Sequence, residues 1–207
     1  MDYLQKPVNV KINQDWSEIL KKYDNIHSMI LSGKLDKDLQ PKAAGWPVKR
    51  YNFGNMGSVL IDDAALSNNW GTWTGPLLDS QLKWIDQARK LFVNLNFYHS
   101  VGLSITYEDV AVHTDAKPYD ESDLSQCKLL YVIKSEDPNA KTISHDINDP
   151  TITRSFPSVP GTAFLLDTNS PHEVKAKGYR AVLQFKFFTD FNVIADFFDR
   201  HGPIEFG

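Results

Sequence analysis

The sequence predicts a mainly β fold with flanking helices, of the sandwich or barrel kind. From Asn94 onward, short β-type runs follow one another between turn residues, as in many-stranded sandwiches and barrels. Before that point two stretches carry apolar residues at helical spacing, and a shorter one follows the last β-type run. The 207 residues suit one domain with a substantial core. Within it, residues 1–93 form a helical and short-strand support, 94–188 the β core, and 189–207 a C-terminal helix and tail.

Taken in order, Asp15 to Leu31 places Trp16, Ile19, Leu20, Tyr23, Ile26 and Ile30 on one helical face. Asp15 is the expected N-cap, Glu18 stands in capping-box position, and Gly33 is the expected stop. Lys34 to Pro47 is polar and broken by Pro41, Gly45 and Pro47, so it reads as a loop. Val48 to Phe53 and Ser58 to Ile61 read as short strands around the turn Gly54-Asn55-Met56-Gly57. Asn68 to Pro76 reads as a loop by its glycines and proline, yet holds Trp70 and Trp73. These rings either line a substrate cleft or plug a core edge.

Leu77 to Val93 is the second amphipathic helix, with Leu78, Leu82, Ile85, Ala88, Leu91 and Phe92 along one side. The β-type runs are Phe97 to Tyr107, Val110 to Asp115, Lys128 to Lys134, Thr142 to Asp146, Ala163 to Asp167, His172 to Lys175 and Arg180 to Phe188. Ala116 to Gln126 is polar and is expected to form a mobile loop at the mouth of a site. Asn148 to Pro160, with Pro150, Pro157 and Pro160, reads as a structured crossing, and Asn192 to Arg200 as the last helix.

Composition excludes several classes. Hydrophobic content of 42% and aromatic content of 12% fit a globular chain. A formal net charge of −4 offers no footprint for a polyanion, so direct nucleic-acid binding is disfavoured. Cys127 is the only cysteine, which rules out an internal disulfide and suits a reducing compartment. No stretch approaches the length of a membrane span, and the N-terminus does not read as a signal peptide, so a cytoplasmic protein is expected. The oligomeric state is not legible.

The chemistry concentrates in two stretches, Val112-His113-Thr114-Asp115 and Ser170-Pro171-His172-Glu173-Val174, the second followed by Gly178-Tyr179-Arg180. On a strand, His113 and Asp115 point to one side and Thr114 to the other, because strand side chains alternate. His172 from another strand would complete a two-histidine, one-carboxylate facial set, which suits Fe(II) and leaves positions open for oxygen chemistry. The absence of neighbouring thiolates argues against a structural zinc. Arg180 lies within an apolar strand, and a buried guanidinium there implies an anion, either a bound ligand or a protein carboxylate.

The ordered set His113-x-Asp115, His172, then Arg180 resembles the 2-oxoglutarate- and Fe(II)-dependent oxygenases over roughly residues 98–188. The stretch Pro160 to Asp167, leading to Ser170-Pro171-His172-Glu173-Val174, resembles the distal half of the prolyl hydroxylase-like and aspartyl/asparaginyl β-hydroxylase-like branches. The resemblance implies a double-stranded β-helix core, a jelly roll of cupin-like shape buttressed by the N-terminal helices. It also implies that His113, Asp115 and His172 hold Fe(II), that Arg180 captures the far carboxylate of 2-oxoglutarate, and that O2 is the other cosubstrate. Succinate and CO2 would be released as an aliphatic C–H of an amino acid or peptidyl residue is hydroxylated. Tyr131 resembles the tyrosine that donates to the cosubstrate carboxylate in prolyl hydroxylase-like members, or is an ordinary core aromatic. Tyr107 is a second candidate of that kind. A cupin-like or jelly-roll binding module without oxygenase activity is the alternative, although such sites usually spend more histidines near the first strand.

Overall fold

The computed structural model describes residues 4–31, 42–43, 48–52, 58–62, 71–74, 76–115 and 126–207. Its elements are β1 (Gln5–Val8), β2 (Val10–Ile12), α1 (Ser17–Leu31), β3 (Lys42–Ala43), β4 (Val48–Asn52), β5 (Ser58–Asp62), β6 (Gly71–Thr74), α2 (Pro76–Gln81), α3 (Ile85–Leu91), β7 (Phe97–Thr106), β8 (Val110–His113), β9 (Cys127–Ser135), β10 (Lys141–His145), β11 (Thr153–Pro157), β12 (Ala163–Asp167), β13 (His172–Lys175), β14 (Arg180–Phe187), α4 (Phe191–His201) and β15 (Ile204–Phe206).

Two sheets face each other. The major sheet runs β1-β12-β9-β14-β7-β6-β5-β4-β3 and the minor sheet β11-β10-β13-β8, while β15 and β2 form a separate parallel pair. From β7 to β14 the chain crosses repeatedly between the two sheets, so, apart from the β10–β11 hairpin, strands of this stretch that pair with one another are not neighbours in sequence. This is the double-stranded β-helix, a mainly β jelly roll with flanking helices.

Strand alternation divides the major sheet into two faces. Val101, Leu103 and Ile105 of β7, Leu129 and Tyr131 of β9, and Ala181, Leu183, Phe185 and Phe187 of β14 join the large core under the helices. Leu130, Val132, Phe164, Leu166 and Val182 point the other way, into the barrel, where Phe156 packs against them and stacks on Phe164 at 4.2 Å. The helical layer closes the first face with Ile19, Leu20 and Tyr23 of α1, Leu78 of α2, Ile85 and Ala88 of α3, and Ile194 and Phe198 of α4. Phe92, fully buried, meets Phe187 edge-on at 5.3 Å and Phe97 at 5.8 Å.

Local signals explain the helix ends. Asp15 accepts from the Ser17 N–H at 3.0 Å and from its hydroxyl at 2.7 Å, capping α1 as the sequence suggests. Asp190 does the same for α4 through the Asn192 N–H at 2.8 Å. Asn96 takes a left-handed conformation, φ 48°, which turns the chain into β7.

Several expectations need correction. Leu77 to Val93 is not one helix but α2 and α3, separated at Leu82 to Trp84. The cause is the burial of Trp84, which stacks on Phe206 at 5.4 Å and lies 5.7 Å from Phe185, so packing overrides a continuous helical register. Asn68 to Pro76 is not all loop, since β6 pairs with β7 and extends the major sheet. Asn148 to Pro160 contains β11, an exposed strand that forms a hairpin with β10 and turns only Phe156 inward. The stretch read as loop from Lys34 to Pro47 includes β3. The stop at Gly33 and the turn Gly54 to Gly57 lie outside the described residues. Among the described residues no helix is long and apolar enough to cross a membrane.

Candidate metal centre

The site is built where β8 ends and β13 begins. His113 and His172 are register partners across that pair, and their rings lie 4.3 Å apart. Asp115 follows the strand by two residues, and its backbone N–H donates to the Thr168 carbonyl at 3.2 Å, which ties it to the turn before β13. Its Oδ1 is 3.8 Å from His113 Nε2 and its Oδ2 is 3.5 Å from His172 Nε2. One ligand atom from each residue lies within 4.8 Å of the other two.

The second ring nitrogens decide what faces the middle. His113 Nδ1 is 2.8 Å from the Ala111 carbonyl, and His172 Nδ1 is 3.0 Å from the Ser170 carbonyl. A carbonyl only accepts, so both Nδ1 atoms carry the proton and, in the neutral rings, both Nε2 atoms present lone pairs toward the carboxylate. Three Lewis bases converging with no proton between them suit a cation, and two imidazoles with one carboxylate suit Fe(II).

Electrostatics agree with neutral imidazole and ionised carboxylate. Burial alone would raise the Asp115 carboxyl, but Lys128, His172 and His113 outweigh it and hold it well below the usual carboxylate range. Burial pushes His172 down to about 4, against the opposing pull of Asp115. Lys128 was not anticipated as part of the site. Its ammonium donates to Asp115 Oδ2 at 2.7 Å, with Lys128 buried and Asp115 partly so. The available signal was a lone cation in the apolar run Cys127-Lys128-Leu129-Leu130-Tyr131, on the alternate face from Tyr131.

Behind the cluster a pocket runs between the sheets, lined among others by Ser104, Leu130, Thr142, Val174, Val182 and Gln184, and Arg180 also faces it. Arg180 is 4% exposed. Its Nε donates to Ser158 Oγ at 2.8 Å and a terminal nitrogen to Thr142 Oγ1 at 3.0 Å. Among the described residues no carboxylate pairs with it, and burial lowers its pKa to about 10.

The structure therefore brings His113, Asp115, His172 and Arg180 to one pocket and separates the two tyrosines from it. Tyr131 faces the helical layer, its ring 6.4 Å from Trp16, because it alternates with the pocket-facing Leu130. Tyr107 lies one residue beyond pocket-facing Thr106, packs edge-on against Tyr179 at 5.3 Å and donates to Asp24 at 3.4 Å. Neither hydroxyl lines the pocket. Trp73 lies on β6 opposite Leu103, whereas Trp70 and the Ala116 to Gln126 loop, apart from Gln126, lie outside the described residues.

No protein-family model and no curated protein sequence matches the chain. Among solved structures it is similar to a prolyl-4-hydroxylase of Pseudomonas putida, with a TM-score of 0.50 and 12% identity, covering 90% of this chain and 93% of that one. It is also similar to an oxidoreductase of the 2OG-Fe(II) oxygenase family from Burkholderia pseudomallei, with a TM-score of 0.41 and 11% identity over 83% and 78% of the chains. A Bacillus subtilis oxalate decarboxylase mutant matches over 58% and 26%, with a TM-score of 0.37 and 12% identity. At these identities the likeness shows the jelly-roll fold alone.

Proposed function

We propose that the chain is an Fe(II)- and 2-oxoglutarate-dependent dioxygenase that hydroxylates an aliphatic C–H of an amino acid or peptidyl residue. The observation that carries this reading is Arg180, a buried guanidinium whose described partners are hydroxyls, facing the same pocket as three converging metal donors. A buried cation without a counter-charge is costly, and a carboxylate matches a guanidinium's paired donors.

His113, Asp115 and His172 would hold the iron, with the two Nδ1 contacts fixing each ring in the ligating tautomer. Arg180, with Thr142 and Ser158, would anchor the far carboxylate of 2-oxoglutarate and so orient its keto acid end toward the three donors. Val174, Val182 and Leu130 keep that passage apolar and exclude water. Iron, when bound, would supply the activation of O2, one oxygen atom going to succinate as 2-oxoglutarate loses CO2 and the other to the hydroxylated C–H.

The test is an anaerobic titration with Fe(II) and 2-oxoglutarate, where the visible charge-transfer band of a chelated keto acid is expected, followed by succinate release in air with amino acids and short peptides. Asp115→Ala should lose both the band and succinate while keeping its circular dichroism. A protein that binds the metal and shows no band would instead be a cupin-like binding module.

A further inference from the structure

Among the described residues lining the pocket, Asp115 is the only carboxylate, while Lys128, Arg180 and Lys186 are all cations. Lys128 is 6% exposed and stands opposite Lys186 in the β9–β14 register. Its ammonium holds Asp115 Oδ2 at 2.7 Å, and Oδ2 is also the oxygen 3.5 Å from His172 Nε2. The carboxylate meant for a cation thus already serves one. Among the described lining residues, a dication entering the cluster therefore meets a single carboxylate that is already shared with an ammonium.

We propose that Lys128 is a positioning residue that makes loading of the metal depend on the arrival of the anionic cosubstrate. The inference rests on reading the cluster as an Fe(II) and 2-oxoglutarate site. The ammonium keeps one carboxylate oxygen engaged, so Asp115 offers the metal the other, and its charge weakens the metal when bound alone. A dianion entering between Arg180 and the cluster adds negative charge to a lining whose described residues include Asp115 as the one carboxylate. Binding of the two is then mutually reinforcing, and by linkage the metal strengthens the dianion by the same factor. A buried ammonium beside a metal ligand is otherwise unfavourable, since it repels the dication at close range in a medium that screens poorly.

The experiment titrates Mn(II), followed by its electron paramagnetic resonance signal, into the full chain with and without 2-oxoglutarate. Lys128→Gln keeps a donor for Asp115 without the charge, Lys128→Met removes both, and Lys128→Arg keeps the charge. Without 2-oxoglutarate the Gln and Met variants should bind Mn(II) about tenfold more tightly than the parent, and the tightening produced by 2-oxoglutarate should shrink about tenfold. Lys128→Arg should follow the parent. Weaker Mn(II) binding by the Gln variant, or an unchanged effect of 2-oxoglutarate in both uncharged variants, would show that Lys128 only orients Asp115 and overturn the proposal while leaving the metal site in place. A parent that binds no Mn(II) under either condition would overturn the site itself.

Discussion

On β14 the residues Ala181, Leu183, Phe185 and Phe187 face the helical layer, whereas Arg180, Val182, Gln184 and Lys186 face the pocket. The first set is apolar throughout and needs nothing but close packing against α2, α3 and α4. The second set lines the pocket with two buried cations and a half-buried amide, groups that cost folding energy to bury unless polar partners compensate them. One strand therefore carries stability on one side and binding on the other, and substitutions on the two sides should fail in different ways.

The largest effect is expected on the helical side. Phe185→Ala removes a ring in contact with Trp84, Phe92 and Phe97 and should cost about 3–5 kcal/mol in urea unfolding, with metal affinity of the folded fraction unchanged. On the pocket side, Arg180→Met should leave stability within about 1 kcal/mol yet raise the 2-oxoglutarate requirement about a hundredfold, measured by succinate release. Equal loss of stability and cosubstrate affinity in that variant would erase the distinction between the faces.

A smaller effect follows from His172 on the opposite wall of the pocket. Its folded pKa of about 4 lies below the ordinary 6.5, so the unfolded chain takes up the proton first as pH falls. The stability of the metal-free protein is therefore full above the ordinary value and should decline by about 2 kcal/mol between about pH 7 and about pH 5. Urea midpoints should track this in the parent and flatten in His172→Leu. The smallest effect belongs to Tyr131→Phe, which deletes a hydroxyl on the helical side of β9 and should change the 2-oxoglutarate requirement by less than about twofold.

How much of this was legible follows the same division. The β-type runs that became β7 to β10 and β12 to β14 announced themselves through turn residues and alternation, and the triad residues His113, Asp115 and His172 through residue type and order. Strands without an apolar period were invisible: β11 is exposed except at Phe156, and β1, β2 and β15 are short pieces whose pairing is settled only by distant partners. Tyr131 shows a second limit. Its residue type suggested a donor, but a one-residue alternation against Leu130 decides the face, and spacing from the ligand strands cannot reveal it. Lys128 was missed for the complementary reason, since its meaning depends on a carboxylate from a separate strand end.

The pairing of β14 with β7 has a consequence for how the molecule is made. Phe97 lies opposite Phe187, and Arg180 lies opposite Thr106, so the first long strand of the barrel, paired with β6 on one edge, finds the partner for its other edge only in the last strand. A nascent chain cannot close the barrel until β14 has left the ribosome, and until then the apolar edge of β7 stays open to wrong partners. Such non-local pairing places refolding in the slow range, roughly milliseconds to seconds, rather than among fast helical folders.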